Sequence, residues 1–101
     1  MSNVAFSNCY KLKEGASVPD FLIAIEHLIK DHVSKQKGYV SFQLLKEEDT
    51  WIDSVIFETM DDLNAFLEAS QKNSNELAEK FYSFLNFATC KSKVYSVEMN
   101  H

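Results

Sequence analysis

The chain has 101 residues, which predicts a single domain over residues 1–101, and its 46% hydrophobic and 25% charged residues are typical of a folded globular protein. Its formal net charge is −5, from 15 acidic residues against 10 lysines, with no arginine. This balance argues against nucleic-acid binding, which favours a basic surface and guanidinium donors.

The first two elements are a strand and a helix. Alternation of apolar and polar residues over Val4–Leu12 predicts the strand and puts Asn8 on its apolar face. Ser17 and Asp20 have the spacing of a capping box. An apolar stripe with three- and four-residue spacing follows them, which predicts an amphipathic helix that ends before Gly38.

Two strands and a second helix come next. Residues 39–46 and 50–58 are predicted strands, and the acidic segment 47–49 between them is short enough for a hairpin turn. Thr59 and Asp62 have the spacing of a cap for a second helix.

The last part of the chain predicts a third helix and a final strand. Asn73 and Glu76 are spaced as a capping box, and the apolar stripe that follows extends to Ala88. Weak alternation over residues 91–99 predicts the strand. Cys90 then precedes this strand, several residues out of register with a cysteine in the first strand, so we expect no disulfide.

The element order β-α-β-β-α-α-β predicts an α+β fold of the ferredoxin-like type. This fold has a four-stranded antiparallel sheet with helices on one face, and its last strand lies beside its first.

The predicted sheet carries apolar residues on both faces. In the second strand, Val40, Phe42 and Leu44 point one way, while Tyr39 and Leu45 point the other. A single layer of helices covers only one face, so we expect a homodimer in which two sheets pack face to face. The alternative is a monomer that tolerates a few exposed apolar residues.

The expected location is cytoplasmic. The beginning of the chain lacks the basic stretch and apolar core of a secretory signal, and no apolar stretch approaches the roughly 20 residues that span a bilayer. We therefore expect no membrane partner, and we expect Cys9 and Cys90 to be reduced thiols.

Two segments resemble a known family. The sequence NCYKLKEG at residues 8–15, before the first helix, and FETMDDLNAF at residues 57–66, where the third strand leads into a helix, are similar to dimeric α+β barrel proteins of the antibiotic-biosynthesis monooxygenase type. The enzymes of that family oxidise electron-rich substrates with molecular oxygen, often without a metal or flavin. The resemblance thus implies a monooxygenase without a cofactor that acts on a small apolar or aromatic molecule.

The resemblance also implies a site between sheet and helices. A family asparagine in the middle of the first strand faces the pocket, and Asn8 matches its position. An amide donor there would hold a substrate oxygen as it becomes an oxyanion, so Asn8 is the expected catalytic residue. A structural amide bonded to nearby backbone is the alternative for Asn8.

Haem degradation is not expected. The haem-degrading relatives carry a tryptophan where this chain has Phe66, and a histidine ligand where residues 79–82 contain none.

Four further side chains are candidates for substrate binding, because pockets are largely apolar with few polar groups. They are Phe66, Phe81, Tyr82 and, as a minority acid or base on the first helix, His32. His27 and Asp31 are spaced i,i+4, but with only two ligands on that face we expect no metal site. The competing hypothesis for the whole protein is a non-catalytic homodimer of the same fold, either a module that binds a small ligand or a purely structural one.

Overall fold

The computed structural model describes residues 3–73 and 75–100. Four strands and three α-helices follow the predicted order, with one 3₁₀ turn after the first helix. Their bounds are β1 Val4–Leu12, α1 Val18–Asp31, the 3₁₀ turn Val33–Lys35, β2 Tyr39–Glu47, β3 Thr50–Phe57, α2 Met60–Lys72, α3 Glu76–Tyr82 and β4 Leu85–Ser96. Within the described ranges, no helix is both long and apolar enough to cross a bilayer.

The strands form one antiparallel sheet in the order β2-β3-β1-β4. The core lies between one face of this sheet and the three helices, where Tyr10, Phe21, Phe57 and Leu63 are almost completely buried. The predicted ferredoxin-like α+β fold is confirmed, including the position of β4 beside β1.

Two of the predicted helix starts are confirmed. The Ser17 hydroxyl accepts a hydrogen bond from the backbone N–H of Asp20, and the Thr59 hydroxyl accepts one from the backbone N–H of Asp62. Each bond satisfies a backbone donor that the first turn of a helix leaves without an intrahelical partner.

The third helix is shorter than predicted, and it starts from a different cap. Asn75, not Asn73, accepts bonds from the backbone N–H groups of Leu77 and Ala78. The helix ends at Tyr82, and the chain enters β4 at Leu85, opposite Leu12 of β1. The apolar residues that follow Tyr82 have helical spacing, but from Leu85 onward the chain is a strand, so these residues do not extend the helix.

The early start of β4 also corrects the register of the two cysteines. Cys90 lies inside β4, and Cys9 of β1 is opposite Lys91, so the thiols are offset by one residue instead of several. Both cysteines are free.

One predicted orientation in β2 is wrong. The register of β2 against β3 shifts between Tyr39 and Ser41, which places Tyr39 opposite Phe57 on the core face. Leu45 keeps the predicted orientation, because it pairs with Ile52 on the face that the helices do not cover.

Candidate functional site

A cavity of about 410 Å³ lies between the helix-facing side of the sheet and the helices. Its walls are mainly apolar, with side chains from α1, α2 and α3 above the sheet and from all four strands below. This volume falls within the usual range of small-molecule sites, which combine apolar walls with a few polar groups.

The polar groups of this cavity lie on three neighbouring strands. Asn8 of β1 pairs with Asp53 of β3 on one side and with Ser92 of β4 on the other, so alternation brings all three side chains to the same face. Tyr10 lies two residues further along β1 on the same face, and its phenol also lines the cavity. We call these four side chains the polar row.

Hydrogen bonds connect the polar row from the exposed edge of the sheet to the core. The Ser92 hydroxyl donates to Asn8 Oδ1, and Asn8 Nδ2 donates to Asp53 Oδ1 over 3.0 Å. The Tyr10 hydroxyl donates to Asp53 Oδ2 over 2.7 Å. Asn8 is therefore fixed on both sides, with its amide group turned toward the carboxylate.

Asp53 is the buried member of the polar row, with 6% of its surface exposed. Burial raises the pKa of its carboxyl, although the hydrogen bonds from Asn8 and Tyr10 act in the opposite direction by stabilising the ionised form. Burial, followed by the charge of Asp53, also raises the pKa of the Tyr10 hydroxyl, which therefore stays protonated as a donor.

Sequence reasoning missed Asp53, although the sequence contained a signal for it. In β3, Asp53 alternates in phase with Trp51, Val55 and Phe57, all of which are buried. An acidic residue on the apolar face of a strand needs a partner or a function, because a buried carboxylate is costly. No basic residue alternates in phase with Asp53 along β3, and this could have drawn attention to it.

The structure brings four of the five predicted site residues to the cavity. Asn8, Phe66, Phe81 and Tyr82 all line it. Phe66 stacks on Phe57 at 5.3 Å between ring centroids and forms part of the wall. Tyr82 lines the cavity and is 44% exposed.

His32 is not part of this cavity. It caps the C-terminal end of α1 and lines a smaller adjoining cavity of about 200 Å³ between the helices. The two cavities share wall residues, among them Phe66 and Tyr82. His32 was predicted to bind substrate, but it lines only the smaller cavity, whereas the next residue, Val33, lines both.

No histidine is among the described side chains that line the main cavity, and its phenols and thiol are those of Tyr10, Tyr82 and Cys90. In residues 3–73 and 75–100, no three His, Cys, Asp or Glu side chains cluster closely enough to hold a metal ion, so His27 and Asp31 have no third ligand of these types.

No protein-family profile matches the chain, and no curated protein matches it in sequence. Solved structures match it over nearly its whole length. SnoaB, a cofactor-independent oxygenase from Streptomyces nogalater, gives a TM-score of 0.77 at 14% identity, over 99% of this chain and 97% of that chain. A candidate antibiotic biosynthesis monooxygenase from Bordetella bronchiseptica gives 0.78 at 11% identity, over 98% and 100% of the two chains.

A haem-degrading protein from Mycobacterium tuberculosis also matches, with a TM-score of 0.68 at 16% identity, over 99% of this chain and 96% of that chain. At such identities the likeness establishes the fold, and the chemistry has to be argued from the site. The chain has the ferredoxin-like fold of proteins of the antibiotic biosynthesis monooxygenase type, as the segments 8–15 and 57–66 predicted.

Proposed function

We propose that this protein is a cofactor-independent monooxygenase that acts on a small, mainly apolar or aromatic molecule. The observation that carries the proposal is the polar row at the floor of an apolar cavity. A site of this kind encloses an aromatic ring and presents hydrogen-bonding groups to one edge of it. The fold shared with a cofactor-independent oxygenase supports the same class of reaction.

Asn8 is the catalytic residue of the proposed reaction. Its Nδ2 carries two hydrogens, and only one is used in the bond to Asp53. The second can bind a substrate oxygen and stabilise the negative charge that develops there. The bond from Ser92 keeps the amide in this orientation.

The reaction balances without an added reductant when the substrate is a quinol. The quinol supplies four electrons to one molecule of dioxygen. One oxygen atom becomes a ring hydroxyl, the two original hydroxyls become carbonyls, and the second oxygen atom leaves as water. The products are a hydroxyquinone and water.

Incubation of the protein with quinols, with and without oxygen, tests the proposal. We expect product formation and oxygen uptake only in the aerobic reaction, and a loss of about 10²–10³-fold in turnover for Asn8→Ala. Gln43→Ala is the matched control, because Gln43 is an exposed amide outside the cavity lining. Equal turnover in Asn8→Ala and the wild type would refute the role of Asn8.

The second candidate function is a non-catalytic binding module. The observation in its favour is the mainly apolar wall of the cavity, in which Phe66 stacks on Phe57. Thermal-shift screening distinguishes the two, since a binding module is stabilised by aromatic ligands that are recovered unchanged under oxygen.

We also propose a cytoplasmic homodimer. The face of the sheet opposite the helices supports it, because Leu45, Ile52, Ile56 and Tyr95 form an apolar area there that the described residues leave uncovered or half-covered.

A further inference from the structure

Asp53 is a buried carboxylate without a basic partner in the described part of the chain, and packing alone does not explain why it is there. It is the one side chain among the described residues that is both charged and buried. No ion pair involves it in residues 3–73 and 75–100, and no lysine or histidine lines its cavity. An apolar residue of similar size would cost less at a site with no cation.

The two hydrogen bonds of Asp53 leave it free to act. Each carboxylate oxygen accepts one bond, from Asn8 or from Tyr10, while a carboxylate has room for about four donors in all. The group also lines the cavity, so a bound molecule can reach the remaining lone pairs. Asn8 and Tyr10 hold the carboxylate in place without neutralising it.

We propose that Asp53 is the base of this site and takes the hydroxyl proton of an uncharged aromatic substrate, a role that rests on the oxygenase function proposed above. The substrate O–H bond breaks, and its electron pair remains on the substrate oxygen. A new O–H bond forms on Asp53. The free Nδ2 hydrogen of Asn8 then faces the new oxyanion, and the proton leaves with the water formed from dioxygen.

The electrostatics of the cavity support this role. Burial raises the pKa of the Asp53 carboxyl, so its ionised form is a stronger base than an exposed aspartate. The other titratable side chains of the lining are Tyr10 of β1, Tyr82 of α3 and Cys90 of β4. Burial raises the pKa of each, so these three stay protonated under conditions in which Asp53 titrates.

The same charge sets the specificity. An ionised Asp53 without a cation repels anionic ligands, so carboxylates and phosphates are excluded from the floor of the cavity. A phenol enters the cavity uncharged and transfers its hydroxyl proton to Asp53.

Asp53→Asn is the direct test with a quinol substrate under oxygen. We expect kcat to fall by about 10²–10⁴-fold, and KM to rise by about tenfold because the hydrogen bond from the substrate hydroxyl is lost. The loss should shrink for ring-substituted quinols with more acidic hydroxyls, because such substrates need less help in losing the proton. A loss that is the same for every quinol, or no loss at all, overturns the assignment.

Tyr10→Phe keeps the carboxylate and serves if Asp53→Asn fails to fold. The bond from Tyr10 lowers the Asp53 pKa, so its removal should move the acidic limb of the kcat/KM profile to higher pH. An unmoved limb contradicts the proposal.

Anaerobic calorimetry separates this proposal from the oxygenase function. We expect 2-naphthol to bind at least tenfold more tightly than its methyl ether, and this preference to vanish in Asp53→Asn. A wild type that shows the preference but consumes no oxygen with any quinol refutes the oxygenase function alone. Equal binding of 2-naphthol and its methyl ether refutes the role of Asp53. Tighter binding of a naphthylmethyl ammonium ion than of 2-naphthol also refutes it, and would mean that the cavity binds amines.

Discussion

At the scale of single residues, the polar row depends on a carboxylate in a place that usually holds an apolar side chain. Replacing Asp53 by leucine would suit the surrounding Trp51, Val55 and Phe57, yet it would leave the Tyr10 hydroxyl without its acceptor. An unsatisfied buried hydroxyl costs about 1–3 kcal/mol. Each polar group of the row therefore has a hydrogen-bond partner, although burial of the Asp53 carboxylate costs folding free energy.

The raised pKa of Asp53 predicts a pH-dependent stability. Between the ordinary value of 3.8 and the raised folded value, the folded state holds more protons than the unfolded state. The free energy of unfolding therefore falls as pH rises through this window, by at most about 1.4 kcal/mol per pH unit. Asp53→Asn removes this contribution. In urea titrations at a series of pH values, the free energy of unfolding of the variant should therefore rise relative to that of the wild type as pH increases.

The comparison variant for this experiment is Tyr10→Phe, which retains the titrating carboxyl. Loss of its hydrogen bond should extend the window to higher pH. Parallel stability curves for the wild type and Asp53→Asn would show that Asp53 does not titrate differently in the folded state.

At the scale of elements, the third helix shows where local patterns lose information. Asn73 and Asn75 both precede Glu76, and each is a good capping residue by type. Only Asn75 has its side chain on the N–H groups of the first turn. Spacing alone could not choose between them, because the position of the turn depends on how α3 packs against α1.

This difference predicts unequal effects of two similar substitutions. Asn75→Ala should lower the free energy of unfolding by about 1 kcal/mol, since α3 has seven residues and loses the acceptor for two of its N–H groups. Asn73→Ala should cost much less. Chemical denaturation measures both, and a larger cost for Asn73→Ala would mean that the predicted capping box forms in solution.

The boundary between α3 and β4 could not be predicted for a related reason. Phe81, Phe84 and Leu85 have helical spacing, but a turn at Ser83 and Phe84 ends the helix. Leu85 is then buried through pairing with β1, a contact made across more than 70 residues of sequence. The first three strands and the first two helix starts were predictable, because each depends on neighbours close in sequence.

The same distinction applies to the site. Asn8 was predictable from its apolar strand and from the family resemblance. Its partners Asp53 and Ser92 come from distant parts of the chain, and only the register of three strands brings them together. A polar network of this kind is a tertiary feature with a weak sequence signal.

At the scale of the whole molecule, the uncovered face of the sheet is uneven. Its centre on β1 and β3 carries small side chains, including Ser7 and Ser54, whose hydroxyls are hydrogen-bonded to each other. Larger apolar side chains lie around this centre, among them Ile52 and Leu45, which are directly opposite each other. A second sheet could approach closely at the small residues while the larger ones pack around them.

The proposed homodimer can be tested at this face. The double variant Leu45→Lys/Ile52→Lys places two charges on it, and we expect a shift from dimer to monomer at micromolar concentration by sedimentation. The control is Leu22→Lys/Ile23→Lys on α1, where two exposed apolar side chains lie outside the sheet. If the control dissociates the protein and the sheet variant does not, the subunits associate through α1, and a wild type that sediments as a monomer removes the dimer altogether.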